Sequence, residues 1–304
     1  MNRTGRRHPS AAFGACLLAL LLGISEAGSQ FGPVPETLNL FQLVARSDLV
    51  VQVRIRSGSL KFAIVEVQDS LKGTSPFPVL RIAFRDFNFT RAPGEDAIVF
   101  PDGQEEILFL VPYGRTSRKK KDRDKNRDLY TLFRGRQGRM TVPAEGRAVP
   151  LEAVRRLSEI SRVDPTSQTE SLERLLDSPN PILLQSALQE IERLRDPRAS
   201  LLSRLSGLLG SPSPPIRTGS LRVMAQIFAS GRIGDDSLDA AQSALAAVLE
   251  RARNDPDDDV RTQAVLSMAA WPNRREVQGE LKAIAGTDKA QAVRYEAERA
   301  LLRP

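Results

Sequence analysis

The sequence predicts a multidomain α+β chain: an N-terminal antiparallel β-barrel or sandwich, followed by a C-terminal α-solenoid of about four helical hairpins. Three observations carry this. Apolar residues alternate at a period of two from Val51 to Phe84 and return in short runs as far as Val142. No helical crossover pattern separates those runs, which points to a barrel or sandwich rather than a parallel sheet. From residue 170 onward, apolar and small residues recur in columns spaced for pairs of amphipathic helices. At about 150 residues per domain, 304 residues also suit two domains.

The first residues set the expected compartment. Arg3, Arg6 and Arg7 precede a continuous apolar run from Ala11 to Ile24, and Ser25-Glu26-Ala27 places small residues where a signal peptidase reads. The run is too short to cross a bilayer comfortably, at the roughly 20 residues a span needs. Residues 1–27 therefore read as a cleaved secretory signal, with an uncleaved anchor as the alternative. Lipidation at Cys16 fits less well, because most of the apolar run follows that cysteine. The expectation is an exported protein, periplasmic or extracellular, with no later stretch apolar enough to span a membrane.

Cleavage would remove the single Cys, Cys16, and the single His, His8. The mature chain then lacks the ligands of zinc sites and the nucleophile–imidazole pairs of cysteine and serine catalysis. No cofactor and no metal are expected. Carboxylate chemistry survives this filter, so a glycan hydrolase with two acids stays open, although no acidic pair stands out. The expectation is a non-catalytic protein.

Charge is unevenly spread. The precursor carries +7, of which three arginines against Glu26 leave +2 in the signal. Residues 115–139 hold eleven Lys or Arg against three Asp, a local +8, so the rest of the mature chain sums to −3.

After a leader over residues 28–36, Leu38, Phe41 and Val44 share one face of a predicted helix over Thr37–Arg46. Strands are predicted at Val51–Ile55, Phe62–Val67, Val79–Phe84, Ile107–Val111, Leu129–Phe133 and Met140–Val142, and a closing helix at Leu151–Ser161. Over residues 37–162, the segments Ala45-Arg46-Ser47-Asp48-Leu49-Val50-Val51, Val67 to Gly73 with its Leu-Lys-Gly ending, Glu106-Ile107-Leu108-Phe109-Leu110 and Gln137-Gly138 resemble bacterial exported domains with an OB-like barrel. They are distantly similar to the netrin-like domain of tissue inhibitors of metalloproteinases. Those inhibitors use an N-terminal cysteine and disulfides that this chain lacks, so protease inhibition does not carry over.

One insertion interrupts the strands. Arg115, Arg118, Lys119, Lys120, Lys121, Arg123, Lys125 and Arg127 lie in a stretch, residues 115–127, without an apolar residue. It reads as an extended hairpin loop, either a solvated insertion or a contact for an anionic polymer, lipid headgroup or acidic partner. No aromatic residue is interleaved, and together with export this argues against a nucleic-acid partner.

Beyond a linker at 163–169, residues 170–304 hold the repeats. Leu183, Ile216, Val260 and Val293 align, and four positions later come Ala187, Ser220, Ala264 and Ala297, small where two helices must approach. Leu194, Ile227 and Trp271 form a further expected core column. The turns resemble those of HEAT repeats, also seen in bilin-lyase-like repeats. In that family an Asp at the turn and an Arg six residues on form a ladder. Asp255 with Arg261 and Asp288 with Arg294 fit; Arg217 follows Ser211, and the first unit has Ser178 and Leu184. The ladder is expected to be structural. The run Asp255 to Asp259 reads as a helix start offsetting the positive end of the dipole, since it lacks the glycine and spacing of a calcium loop.

The resulting expectation is a protein-binding scaffold. Helical spacing assigns Gln189, Arg193, Arg222, Gln226, Gln263 and Ser267 to the partner-facing side of the second helices. The alternatives are an electrostatic envelope binder acting through residues 115–127, or a carboxylate-dependent hydrolase.

Overall fold

The computed structural model describes residues 38–84, 96–113 and 128–302, without the side chain of Arg274. The expected signal and leader, with Cys16 and His8, and the basic loop 115–127 lie outside the described residues.

Asn39 fixes the start of helix α1 (Leu40–Arg46). Its side chain accepts from the Gln42 N–H at 2.8 Å, and the Gln42 side chain accepts from the Asn39 N–H at 3.2 Å. This reciprocal cap satisfies two otherwise orphaned donors, so the helix begins one turn later than predicted. At its other end, Lys72 Nζ donates to the carbonyls of Val44, Ala45 and Ser47 at 2.7, 2.8 and 2.8 Å. That contact explains the Leu71-Lys72-Gly73 ending of the second strand. Leu71 is buried, Lys72 closes the helix, and Gly73 takes φ +72°, where an added Cβ would lie 3.0 Å from the Asp48 carbonyl oxygen.

The strands are β1 (Leu49–Gly58), β2 (Phe62–Lys72), β3 (Val79–Ala83), β4 (Glu105–Pro112), β5 (Leu129–Leu132) and β6 (Arg139–Thr141). β1 pairs with both β2 and β4, so the sheet closes in the order β1–β2–β3–β5–β4–β1. The result is an OB-like five-stranded barrel and not a sandwich. It departs from the expected all-antiparallel pattern at one seam, where Arg81–Ala83 runs parallel to Leu129–Thr131. The reason is geometric: five strands in a closed ring cannot all alternate in direction. β5 and β6 share one edge of β4, β5 against Leu110–Pro112 and β6 against Glu106–Leu108. The turn between them is tight enough that a Cβ on Gly138 would lie 2.3 Å from the Phe133 carbonyl oxygen.

Alternation places Leu49, Val51, Val53 and Ile55 inside the barrel with Leu80, Ile82, Leu108 and Leu110. The opposite faces of β1 and β4, with Val50, Ile107 and Phe109, pack under α1 and helix α2 (Ala148–Ile160). β4 is apolar nearly throughout because both its faces are covered.

The repeats are four helical hairpins: α3 (Pro165–Arg174) with α4 (Pro181–Leu194), α5 (Leu202–Leu208) with α6 (Pro214–Ser230), α7 (Leu238–Asn254) with α8 (Asp258–Ala269), and α9 (Arg274–Thr287) with α10 (Gln291–Leu302). Prolines stand at the first positions of α4 and α6, where the missing N–H costs nothing. The small column is fully buried, and each second helix packs against the next. Gly219 lets α6 approach α4, since a Cβ there would lie 3.2 Å from Leu188 Cδ1. The longer central step is absorbed as helix: α6 and α7 each run to 17 residues, against 7 for α5.

One expectation is corrected. The predicted linker is mostly helix, because Asp164 accepts from the Thr166 and Ser167 N–H groups and starts α3 at Pro165. Barrel and repeats share one apolar core, which runs from Leu38 to Ala300 of the last helix within a single compact unit that begins at Leu38. Polar contacts reinforce the junction. Asn39 Nδ2 donates to Glu190 Oε2 at 2.9 Å, and Asn180 Nδ2 donates to the Val149 carbonyl at 3.0 Å. Among the described residues, no helix is long and apolar enough to cross a membrane.

Candidate functional site

The Arg and Asp residues expected to form a ladder do so, with a register the six-residue spacing does not reveal. Arg217 binds the carboxylate of Asp255 with two bonds, at 2.9 and 2.8 Å, and Asp255 belongs to the next repeat. Arg261 holds Asp288 of the following repeat in the same way, at 2.9 and 3.0 Å. Within its own repeat each arginine reaches a main-chain carbonyl of the turn: Arg217 that of Ser211, Arg261 that of Asp255 and Arg294 that of Asp288. The rungs therefore join neighbours, and each guanidinium also closes its own turn.

This register accounts for the missing pair. Leu184, without a charge, precedes the repeat that carries Ser211 at the acidic position, so no ion is left alone between the first two repeats. Burial raises the proton affinity of Asp255. The Arg217 bonds, the Asp257 N–H and Arg251 together outweigh it, and the carboxyl sits below the ordinary aspartate range. Asp288 is likewise pushed up by burial and drawn further down by Arg261 and the Ala290 N–H. Part of the acidic run serves structure: Asp257 caps α8 through the N–H groups of Asp259 and Val260, and Asp258 pairs with Arg261 at 2.7 Å, while Asp259 is exposed.

Across the stacked second helices lies a groove of about 730 Å3, a size within the range of ligand-binding clefts. Gln185, Gln189 and Glu192 of α4 form one wall, Thr218 and Arg222 of α6 the middle, and Asp259, Thr262 and Gln263 of α8 the far wall, beside Asp257. Leu188, Pro214, Pro215 and Gly219 complete it. Arg222 Nη1 stands 3.9 Å from Glu192, and its Nε donates to Gln263 Oε1 at 3.4 Å. Glu192 is shifted upward by burial, which Arg222 only partly offsets.

Of the six residues assigned to the partner-facing side, Gln189, Arg222 and Gln263 line this groove. The other three are occupied within the fold. Ser267 is fully buried, its Oγ at 2.8 Å from the Leu221 carbonyl and 2.9 Å from that of Gln263, so it ties α8 to α6 and offers nothing to a partner. Gln226 donates to the Glu192 carbonyl at 2.8 Å. Arg193 is held on buried Glu190 by contacts of 2.6 to 3.0 Å. Sequence reasoning missed Gln185, Glu192 and Thr218. The signal was present, since each lies three or four residues from an assigned residue on the same helix face.

Trp271 is core, as expected: it meets Phe228 edge-on at 4.9 Å and donates from Nε1 to Glu276 Oε2 at 3.0 Å. Leu194, placed in the same column, is instead exposed. Among the described residues of the barrel, one carboxylate is buried, Glu106. It pairs with Arg139, whose guanidinium also lies 4.5 Å over the Phe100 ring, and not with a second acid.

These features define a solenoid repeat protein that carries an OB-like barrel at the N-terminal end of its repeats. Residues 169–269 match the family model of HEAT repeats. No curated protein sequence matches the chain. Similar solved structures include an engineered protein, at 18% identity over 50% of this chain and 74% of that one, TM-score 0.38. A phycocyanin lyase complex from Nostoc sp. PCC7120 is similar at 16% identity, over 50% of this chain and 97% of that one, TM-score 0.37. A designed armadillo repeat protein in complex with a peptide is similar at 15% identity, over 52% of this chain and 76% of that one, TM-score 0.38.

Proposed function

We propose that this chain is an exported, non-catalytic scaffold that docks a protein or peptide partner in the groove across α4, α6 and α8. The groove carries the reading: it is continuous over three repeats and lined by side chains that both donate and accept. A stacked solenoid of this type offers an extended surface without needing a reaction centre. The secretory-type first 27 residues support export, and removal of Cys16 and His8 with them supports a binding role over catalysis. The concentrated charge of residues 115–127 favours a second, electrostatic contact with an anionic polymer or headgroup.

Site-specific photo-crosslinking tests this. A crosslinker at Gln189 or Gln263 is expected to trap one discrete partner that a crosslinker at the exposed Glu250 of α7 does not. Equal trapping at all three sites would remove the groove reading. Capture that depends only on residues 115–127 and vanishes at moderate salt would establish the electrostatic contact instead. N-terminal sequencing of the exported protein should start at Gly28.

A further inference from the structure

We infer that the groove takes an extended, lysine- or arginine-bearing segment of a partner protein, an inference that rests on the groove being the docking surface. Three carboxylates, Glu192, Asp257 and Asp259, open onto it against one guanidinium, Arg222, a net charge of −2. That guanidinium already faces Glu192 and Gln263, so it offers little repulsion to an incoming cation. The acids sit on α4 and α8 at opposite walls, and one cation cannot serve both. Between them Gln185, Gln189, Gln263, Thr218 and Thr262 supply neutral groups that donate and accept, the chemistry that suits a peptide main chain.

Width supports the extended form. Neighbouring helices pack about 9 Å apart, so three of them span roughly 18 Å, the length of about five or six extended residues at ~3.3 Å each. In such a segment every second side chain points the same way, so alternate cations would face the carboxylates while the backbone meets the amides. An ammonium beside Glu192 would also offset the burial that raises its proton affinity.

Fluorescence anisotropy with the full chain tests this, using labelled nine-residue peptides in which Ser alternates with Lys, Gln or Glu. The Lys peptide is expected to bind about tenfold tighter than the Gln peptide, from two exposed ion pairs of ordinary strength, and the Glu peptide weakest. The advantage should shrink with salt. Glu192→Gln with Asp259→Asn should abolish it, so that on this variant the Lys and Gln peptides bind with equal affinity. Equal binding of Lys and Gln peptides overturns the charge inference; the docking reading then survives if Gln189→Ala with Gln263→Ala weakens both. No peptide binding, alongside partner crosslinking from the groove, overturns the extended segment alone. If the Lys peptide binds only after residues 115–127 are deleted, the occupant is the chain's own basic segment and the external partner is ruled out.

Discussion

Arg217 and Asp255, from consecutive repeats, close a buried pair through two hydrogen bonds of 2.9 and 2.8 Å. Replacing Arg217 with Leu takes two bonds from a carboxylate that has no exposed side-chain surface and leaves it Arg251 at 3.4 Å and the Asp257 N–H. The expected cost is about 3 kcal/mol, because a buried charge loses its bidentate partner and keeps a weaker one. Arg217→Leu combined with Asp255→Ser imitates the uncharged junction of Leu184 and Ser211, and should recover most of that loss in chemical denaturation. Failure of the double variant to recover would place the cost in the carbonyl bond to Ser211 rather than in the ion pair.

Acid should act on the repeats through Asp255 and Asp288. Both carboxyls are held below the ordinary range in the folded state, so the unfolded chain binds more protons and stability rises with pH there. Their contribution is complete above the ordinary aspartate value of about 4 and is lost as pH falls through the lowered folded values. Asp288→Asn should flatten this acid limb in thermal melts taken from neutral pH downward.

Glu106 has the opposite sign. Burial raises it, and the bond from Arg139 opposes that without cancelling it. Its Oε2 is buried without a hydrogen-bond partner. The folded state therefore holds its proton more tightly, and stability is gained as pH falls through the raised value. Glu106→Gln should remove that gain, and at alkaline pH it should leave the barrel as stable as before or more so, by up to about 1 kcal/mol.

Lys72 closes the C-terminus of α1 with three charge-assisted bonds. Lys72→Met keeps the length of the stem and leaves those carbonyls without their donor, so a loss of about 2 kcal/mol is expected. Hydrogen exchange should show the loss first in α1. A uniform loss of protection across the barrel would place the role of Lys72 elsewhere.

Trp271, the single tryptophan, follows the third repeat and reports on its packing against Phe228 of the second and Glu276 of the fourth. Because one core joins barrel and solenoid, its fluorescence transition should coincide with loss of protection in β1. Glu190→Ala removes the acceptor of Asn39 at the junction. It should separate the two transitions, with the barrel opening at lower denaturant and the Trp271 midpoint unchanged.

The parts legible in the sequence are those set by local period. Val51, Val53 and Ile55 had to be a strand with one face inward, and the small column from Ala187 to Ala297 had to lie between helices. Strand order was not legible, because the parallel seam of β3 and β5 follows from closing an odd ring and not from either segment. One partner-facing assignment, Ser267, fails for a related reason. Helical spacing gives the face of Ser267 and Gln226, but not the neighbouring helix that covers or engages them, whereas Arg193 is held by Glu190 of its own helix. The Asn39–Glu190 contact joins residues 151 positions apart, and nothing in either local pattern announces it.

The placing of one uncharged rung before two charged ones also works as an address. An arginine repeat stacked on the wrong neighbour would meet Ser211 where it needs an aspartate, and an aspartate repeat set against Leu184 would bury a lone anion. Such misregistered stacks carry a penalty that the correct order alone avoids. Four similar hairpins on one chain, which could otherwise dock interchangeably while folding, are thereby restricted, the Leu184 face being kept for the repeat that carries Ser211.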